Sequence, residues 1–353
     1  MDKKRIRDLL IIILAFILCL CCTAFVLDYR WVKDEDIYTK NIAYEREPEE
    51  SIDVLYFGTS ELYTAILPII TYEEEGFTGF NFGVSRKSAM TQYYQLVYAL
   101  KHQTPRVVVC DFSSLFDGEL ADENEELYRK IVTTMPDREV KNALIKEILA
   151  RDKSQEALYW YVPFLRYHGI WSQLTKDNFY PANTYNEEYK DYLKGTLLFD
   201  RGYKDEYIAI EPELWEAEPS QEGPTELSIE FYDKFIDLCR EKDIEVVALS
   251  LPKPGRTKEY VCRKAAQDEY LTSRGVRLYE YSSYEEMQRL ELTLEGDYFN
   301  SSHLNVNGAV KFTRDFAHRL KADYNLPDRR EDKAFKEGWE EPLWEFKSDF
   351  QEN

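Results

Sequence analysis

Histidine is scarce in this 353-residue chain, with four copies, and its six cysteines form no cluster with metal-binding or disulfide spacing. Cys19, Cys21 and Cys22 fall inside one hydrophobic run, which leaves Cys110, Cys239 and Cys262 scattered over the remainder. An odd, dispersed trio makes no disulfide framework, and the absence of CxxC or Cys/His pairs removes the usual zinc signatures. Positive charge is also short: 45 Lys and Arg stand against 66 Asp and Glu, for a net charge of −21. That balance excludes nucleic acid as a partner, because phosphate backbones require a basic face. It also disfavours tight non-specific binding to anionic lipid or polymer. No Gly-x-x-x-x-Gly-Lys occurs, and no Gly-x-Gly-x-x-Gly follows the first strand-like run. A phosphate-cradling loop therefore has no support.

What the chain does have begins with an uncharged run over residues 9–27 (LLIIILAFILCLCCTAFVL), in which Thr23 is the one polar residue. A helix needs roughly 20 such residues to cross a bilayer core of ~30 Å. Lys3, Lys4, Arg5 and Arg7 precede it, so the positive-inside rule puts the N-terminus in the cytoplasm and the following domain outside. A cleaved signal peptide is the competing reading. Against it, the run exceeds the ~7–15 residues of a signal h-region, and no small-x-small site follows. Tyr29 and Trp31 suit the outer interface. The expected partition is a cytoplasmic tip (1–8), a transmembrane anchor (9–27), a charged stalk (28–52), an α/β domain (53–325) and an acidic-aromatic tail (326–353). The tail is either disordered or docked by Trp339, Trp344 and Phe346.

Short apolar runs at 52–57 (IDVLYF), 78–82 (TGFNF), 106–112 (RVVVCDF), 244–251 (IEVVALSL) and 276–280 read as strands. Helical patterns at 88–101, 226–242, 261–273 and 307–324 separate or follow them. Strands alternating with helices, with runs apolar on both faces, predict a parallel sheet of right-handed βαβ units. The pattern breaks over 117–225, which reads as a mainly helical, aromatic insertion. Tyr159, Trp160, Tyr161, Phe164, Tyr167 and Trp171 lie there and serve either as packing or as a sugar platform.

Two segments carry chemistry. Phe57-Gly58-Thr59-Ser60-Glu61 ends the first strand, and ligand sites of open α/β sheets lie beyond the carboxyl ends of strands. A serine at the following helix start meets free N–H groups, although a plain turn with Ser60 as N-cap reads the same way. Asp297-Tyr298-Phe299-Asn300-Ser301-Ser302-His303 precedes the last helix. A loop histidine there has the intrinsic pKa of a general base, although a surface or capping histidine fits too.

Taken together, residues 52–61 (IDVLYFGTSE), 81–85 (NFGVS), 107–114 (VVVCDFSS) and 296–308 (GDYFNSSHLNVNG) resemble SGNH/GDSL-type hydrolases and acyltransferases. The likeness covers 53–115 and 226–324. It is nearest in outline to membrane-anchored bacterial members, the DltD-like proteins of teichoic acid D-alanylation and the polysaccharide O-acetyltransferase domains. The resemblance implies a flavodoxin-like three-layer α/β/α fold with a five-stranded parallel sheet and no cofactor. It also implies Ser60 as nucleophile, His303 as base, and the N–H groups of Ser60 and Gly83 as oxyanion hole. Glu61, Asn81 and Ser85 would face substrate. The implied partners are an acyl donor, a glycan or polymer acceptor, and a multi-pass membrane acyltransferase. Two departures stand out. The block-three Gly-x-Asn-Asp is replaced by Asp111-Phe112-Ser113-Ser114, and the aspartate three residues before the histidine is Asn300. Three alternatives follow: Asp297 substitutes, Asn300 suffices, or the site is impaired. Hydrolysis and transfer share the same acyl-serine, and a non-catalytic binding or assembly protein on the same scaffold is the rival reading.

Overall fold

Five short stretches, the central ones apolar, each followed by a turn and a helix, pair into one parallel sheet. The computed structural model describes residues 3–33, 36–85, 87–116, 125–162, 191–199, 223–254 and 258–350, with residues 165, 169, 172, 174 and 202 between them. The chain opens with α1 (Lys3–Lys33), α2 (Asp36–Glu45), β1 (Val54–Phe57), α3 (Ser60–Ala65) and α4 (Pro68–Glu75). There follow β2 (Gly79–Asn81), α5 (Ala89–Ala99), β3 (Val107–Cys110), α6 (Glu125–Thr134), α7 (Arg138–Arg151) and α8 (Ala157–Tyr161). The second half contributes α9 (Glu226–Glu241), β4 (Glu245–Ser250), α10 (Lys258–Ser273) and β5 (Arg277–Glu280). It closes with α11 (Tyr284–Arg289), α12 (Leu294–Asp297), α13 (Val306–Tyr324) and α14 (Lys333–Phe350).

Two compact units emerge, one from residues 1–39 and 128–187, the other from 40–127 and 188–353. In the first, the span Lys3–Ala24 is long and apolar enough to cross a membrane. Leu10, Leu14, Phe16 and Leu18 lie exposed along it, the reverse of a soluble core helix. In the same unit, Ile145, Ile148 and Trp160 are buried, and the Arg129 guanidinium lies 4.1 Å from the Trp160 ring centre. Trp160 is therefore a packing residue, whereas Tyr159 and Tyr161 are exposed. Phe164, Tyr167 and Trp171 of the expected aromatic platform lie outside the described residues.

In the second unit the strand order is β2-β1-β3-β4-β5, all parallel, with Val54 beside both Gly79 and Val107. Val107 stands beside Glu245, and Val247 beside Arg277. β1 and β3 are buried at every position, as a parallel sheet covered on both faces requires. Helices α5 and α9 pack together on one face, and α3, α4 and α13 pack on the other, giving three α/β/α layers. The chain reverses direction across the sheet between β1 and β3, and both candidate segments lie at that carboxyl edge.

The expected stalk differs from what the chain does. Within it α2 forms, and Lys40, Ala43 and Tyr44 are buried. The Tyr44 hydroxyl donates to Ala99 O at 2.7 Å, and its ring meets Phe80 and Phe82 edge-on at 5.0 and 4.6 Å. The Lys40 ammonium donates to Gly83 O, so a charge that reads as solvent-facing is hydrogen-bonded inside the fold. The tail is docked. Trp339 and Phe346 of α14 are buried, Trp339 lies 5.2 Å from the Tyr72 ring, and Arg329 pairs with Asp53 at 2.7 Å.

Candidate active site

Gly58 and Asp111 shape the turn that presents Ser60. A Cβ on Gly58 would come within 2.5 Å of Asp111 Oδ2, so only glycine lets that carboxylate approach. Asp111 Oδ2 accepts from Thr59 N at 2.6 Å and from Thr59 Oγ1 at 3.0 Å, while Oδ1 accepts from Ser113 N and Oγ at 3.0 and 2.9 Å. Phe112, at φ 49°, takes the left-handed conformation that turns the chain here. For a bulky residue this costs of order 1 kcal/mol, held by the buried packing of Phe112 on Tyr232 at 4.7 Å. The segment that stands where block three was missing thus fixes the serine turn. Thr59, not Ser60, is the N-cap, and Ser60 is the first residue of α3. With six residues, α3 contributes little dipole to the site.

The histidine loop is closed by the bridge between Tyr298 and Leu304 and by Phe299 N donating to His303 O at 2.9 Å. Asn305, fully buried, caps α13 through Asn307 N at 2.9 Å and Gly308 N at 3.2 Å. On this frame His303 Nε2 lies 2.9 Å from Ser60 Oγ, and Nδ1 lies 2.9 Å from Asn300 Oδ1. Asn300 Oδ1 also accepts from the backbone N–H groups of Ser302 and His303, both at 2.9 Å. Those two donors assign the amide orientation: the oxygen faces the ring, Nδ1 carries the proton, and Nε2 accepts from the serine hydroxyl. Burial, and then the Lys253 charge, lower the His303 pKa from 6.5 to about 4. The imidazole is therefore neutral at pH 7.

Asp297, the alternative partner, is turned elsewhere. It is buried and accepts from Thr293 N at 2.8 Å and from Lys311 Nζ at 3.0 Å. The oxyanion expectation for Gly83 also meets a different geometry. Its N–H donates to Asn81 Oδ1 at 2.9 Å, an Asx turn from residue i to i+2. Asn81 is fully buried, with Nδ2 donating to Ile66 O at 3.3 Å and its own N–H to Lys194 O at 2.9 Å. Its side chain is thus engaged on both amide atoms within the fold. Gly83 is close-packed: a Cβ would lie 2.7 Å from Tyr63 Cβ and 3.2 Å from Thr59 O. Ser85 is partly exposed in the turn beyond.

Glu61 follows the serine and is paired with Lys253, a residue absent from the sequence expectations. Burial raises the Glu61 pKa, and the lysine acts against that rise. Lys253 follows β4 in Leu251-Pro252-Lys253-Pro254, at the same carboxyl edge, and that placement was its available signal. One aromatic residue lines the ring. Phe199 stacks on Phe299 at 4.1 Å and meets His303 edge-on at 5.4 Å. Phe199 O also accepts from Val306 N at 3.2 Å.

No protein-family model matches this chain, and no curated protein matches it. The sheet order is common to many doubly wound folds, so the layering is consistent with an SGNH/GDSL-like superfamily without being specific to it. The Ser60–His303 hydrogen bond adds a catalytic-type polar pair to that fold.

Proposed function

We propose that this chain is a membrane-anchored, serine-dependent acyl-ester hydrolase or O-acyltransferase of the cell envelope, working through an acyl-Ser60 intermediate. The 2.9 Å hydrogen bond between Ser60 Oγ and His303 Nε2 carries the reading. Ser60 Oγ attacks the acyl carbonyl carbon while Nε2 takes the hydroxyl proton. The donor's alcohol leaves with that proton, and water or a glycan hydroxyl then takes the acyl group by the reverse steps. Asn300 orients the ring, in the manner of Cys-His-Asn sites. Glu61 and Ser85 would face substrate in this reading.

The apolar span of α1 favours transfer, because it holds the domain among lipid-linked donors and nascent polymer. The basic residues before it give a cytoplasmic N-terminus and an extracellular domain. The acceptor is an envelope glycan or polymer, and a multi-pass membrane acyltransferase is the partner that would supply the acyl group. A second reading, a binding or assembly protein on this scaffold, is favoured by two observations: Asn300 carries no charge, and the Gly83 N–H is engaged by Asn81. A fluorophosphonate probe on the full chain in detergent separates the two. Labelling that disappears in Ser60→Ala supports the enzyme, whereas folded wild type that takes no label leaves the binding protein.

A further inference from the structure

Oxyanion stabilisation at the carboxyl edge of a sheet normally uses backbone N–H groups aimed at the reacting carbonyl. One expected donor here, Gly83 N–H, already donates to Asn81 Oδ1 at 2.9 Å. A cation stands close by. Lys253 leaves the carboxyl end of β4, between Pro252 and Pro254, and reaches the Glu61 carboxylate, one residue after Ser60. The two side chains are 17% and 26% exposed, so the pair is largely shielded from solvent screening. The ammonium also lies 5.1 Å from the Tyr260 ring centre. Two prolines, a carboxylate and an aromatic ring thus restrain one lysine next to the nucleophile.

We propose that Lys253 is the electrostatic donor for the oxyanion formed at Ser60, held in place by Glu61, in the role that the Gly83 N–H does not fill. The assignment rests on the acyl-Ser60 reading above. An ammonium has three donors, so accepting one bond from it leaves Glu61 as a tether and other N–H bonds for substrate. As Ser60 Oγ bonds to the carbonyl carbon, the C=O π pair moves onto oxygen and the hydroxyl proton moves to His303 Nε2. The new O⁻ faces the Lys253 ammonium. On collapse the pair returns, the ester C–O bond breaks, and the alcohol departs with the proton from His303. The pairing with Glu61 keeps the free site near neutral, so placing the lysine there does not leave an uncompensated buried charge. The lysine's field at the imidazole, which adds to burial in lowering the His303 pKa, is consistent with this proximity. The other groups facing that ring are Ser60 from α3, Asn300 from its own loop, and the apolar Phe199. Glu61 reaches it through Lys253.

The test compares wild type, Lys253→Met and Lys253→Arg as full chains in detergent, with p-nitrophenyl acetate as substrate and an alkyl boronic acid as tetrahedral mimic. Loss of one oxyanion donor lowers kcat by about 10²–10³, and KM should stay nearly constant. Boronic acid affinity should fall in parallel, and Lys253→Arg should recover part of both. The acid limb of kcat/KM, near pH 4 in wild type, should move upward in Lys253→Met, because removing a cation eases imidazolium formation. An ion pair that merely joined two loops would still shift the acid limb through its field, but would leave kcat and boronic acid affinity unchanged. If Lys253→Met does not fold, Glu61→Gln is read instead: parallel loss of kcat and boronic acid affinity supports the proposal, and neither changing overturns it. Wild type that neither hydrolyses ester nor takes fluorophosphonate overturns the acyl-Ser60 reading. Active, labelled wild type with Lys253→Met retaining kcat within about threefold overturns the Lys253 role alone.

Discussion

Asn300→Asp is the substitution with the sharpest consequence. Asn300 Oδ1 receives three hydrogen bonds, from Ser302 N, His303 N and His303 Nδ1, all at 2.9 Å. Aspartate keeps that shape and those donors and adds a full negative charge beside the ring. A carboxylate and an imidazolium with charge centres about 4–5 Å apart attract by roughly 3–4 kcal/mol at an effective dielectric near 20. His303 is partly exposed, so screening leaves about 1–2 kcal/mol. That energy favours the imidazolium formed during acyl transfer and corresponds to a gain in kcat of about tenfold, each 1.4 kcal/mol being a decade. The ceiling is about 10⁴, the factor lost when the Ser-His-Asp template is changed in the opposite sense. The same charge raises the His303 pKa, so the acid limb of the rate profile moves from near pH 4 towards neutrality. The assay is p-nitrophenyl acetate hydrolysis from about pH 3 to 9, with equal folding checked by circular dichroism. Activity at or below wild type on the plateau would refute the reasoning, because the ring's orienting partner would then lie elsewhere.

Three other outcomes follow from the packing. Asp297→Ala strips the acceptor from Thr293 N and Lys311 inside a buried site, and should cost about 2–4 kcal/mol in urea unfolding. Trp339→Ala removes the ring that anchors α14 on Tyr72; a loss of about 3–5 kcal/mol and faster proteolysis of the tail are expected, and an unchanged thermal midpoint would contradict them. His303 should make stability fall with acid. Its pKa is 6.5 when unperturbed and about 4 in the fold, so between those values the unfolded chain binds more protons and stability drops as pH falls. The ceiling of about 3 kcal/mol reduces to about 1–2 for a partly exposed ring. Urea midpoints at pH 4 and 7 for wild type and His303→Gln read the difference, which should shrink in the variant.

Much of the sheet was legible because its central strands are apolar on both faces. The runs IDVLYF, RVVVCDF and IEVVALSL have no other good reading, and the paired residues 54–57, 107–110 and 245–250 sit inside them. Helix ends were set by local signals such as the Ser88 cap and the Asn305 cap. What escaped was set by partners distant in sequence. α2 reads as polar because Lys40 and Asn41 count as polar, yet Lys40 finds the Gly83 carbonyl. The Asx turn of Asn81, which engages the Gly83 N–H, has no signal in the sequence pattern. Asn300 has the spacing and Asp297 has the charge, and in the fold it is Asn300 that meets the ring, within the loop that the 298–304 bridge closes. For Lys253 the sequence offers its place after β4 but not its partner, because Glu61 lies 192 positions away.

The Asp111 carboxylate has a consequence for how this protein can evolve. One side chain bonds Thr59 in the serine turn and Ser113 in the loop after β3, and its backbone oxygen receives Gln267 Nε2 of α10 at 2.7 Å. A turn, a loop and a helix are thereby tied to a single acid and to the glycine that leaves room for it. Substitutions at Gly58, Thr59, Asp111 and Gln267 share partners, so their effects should be strongly epistatic. A library that randomises these segments one at a time would find few folded survivors, whereas one that varies them jointly would recover compensated combinations.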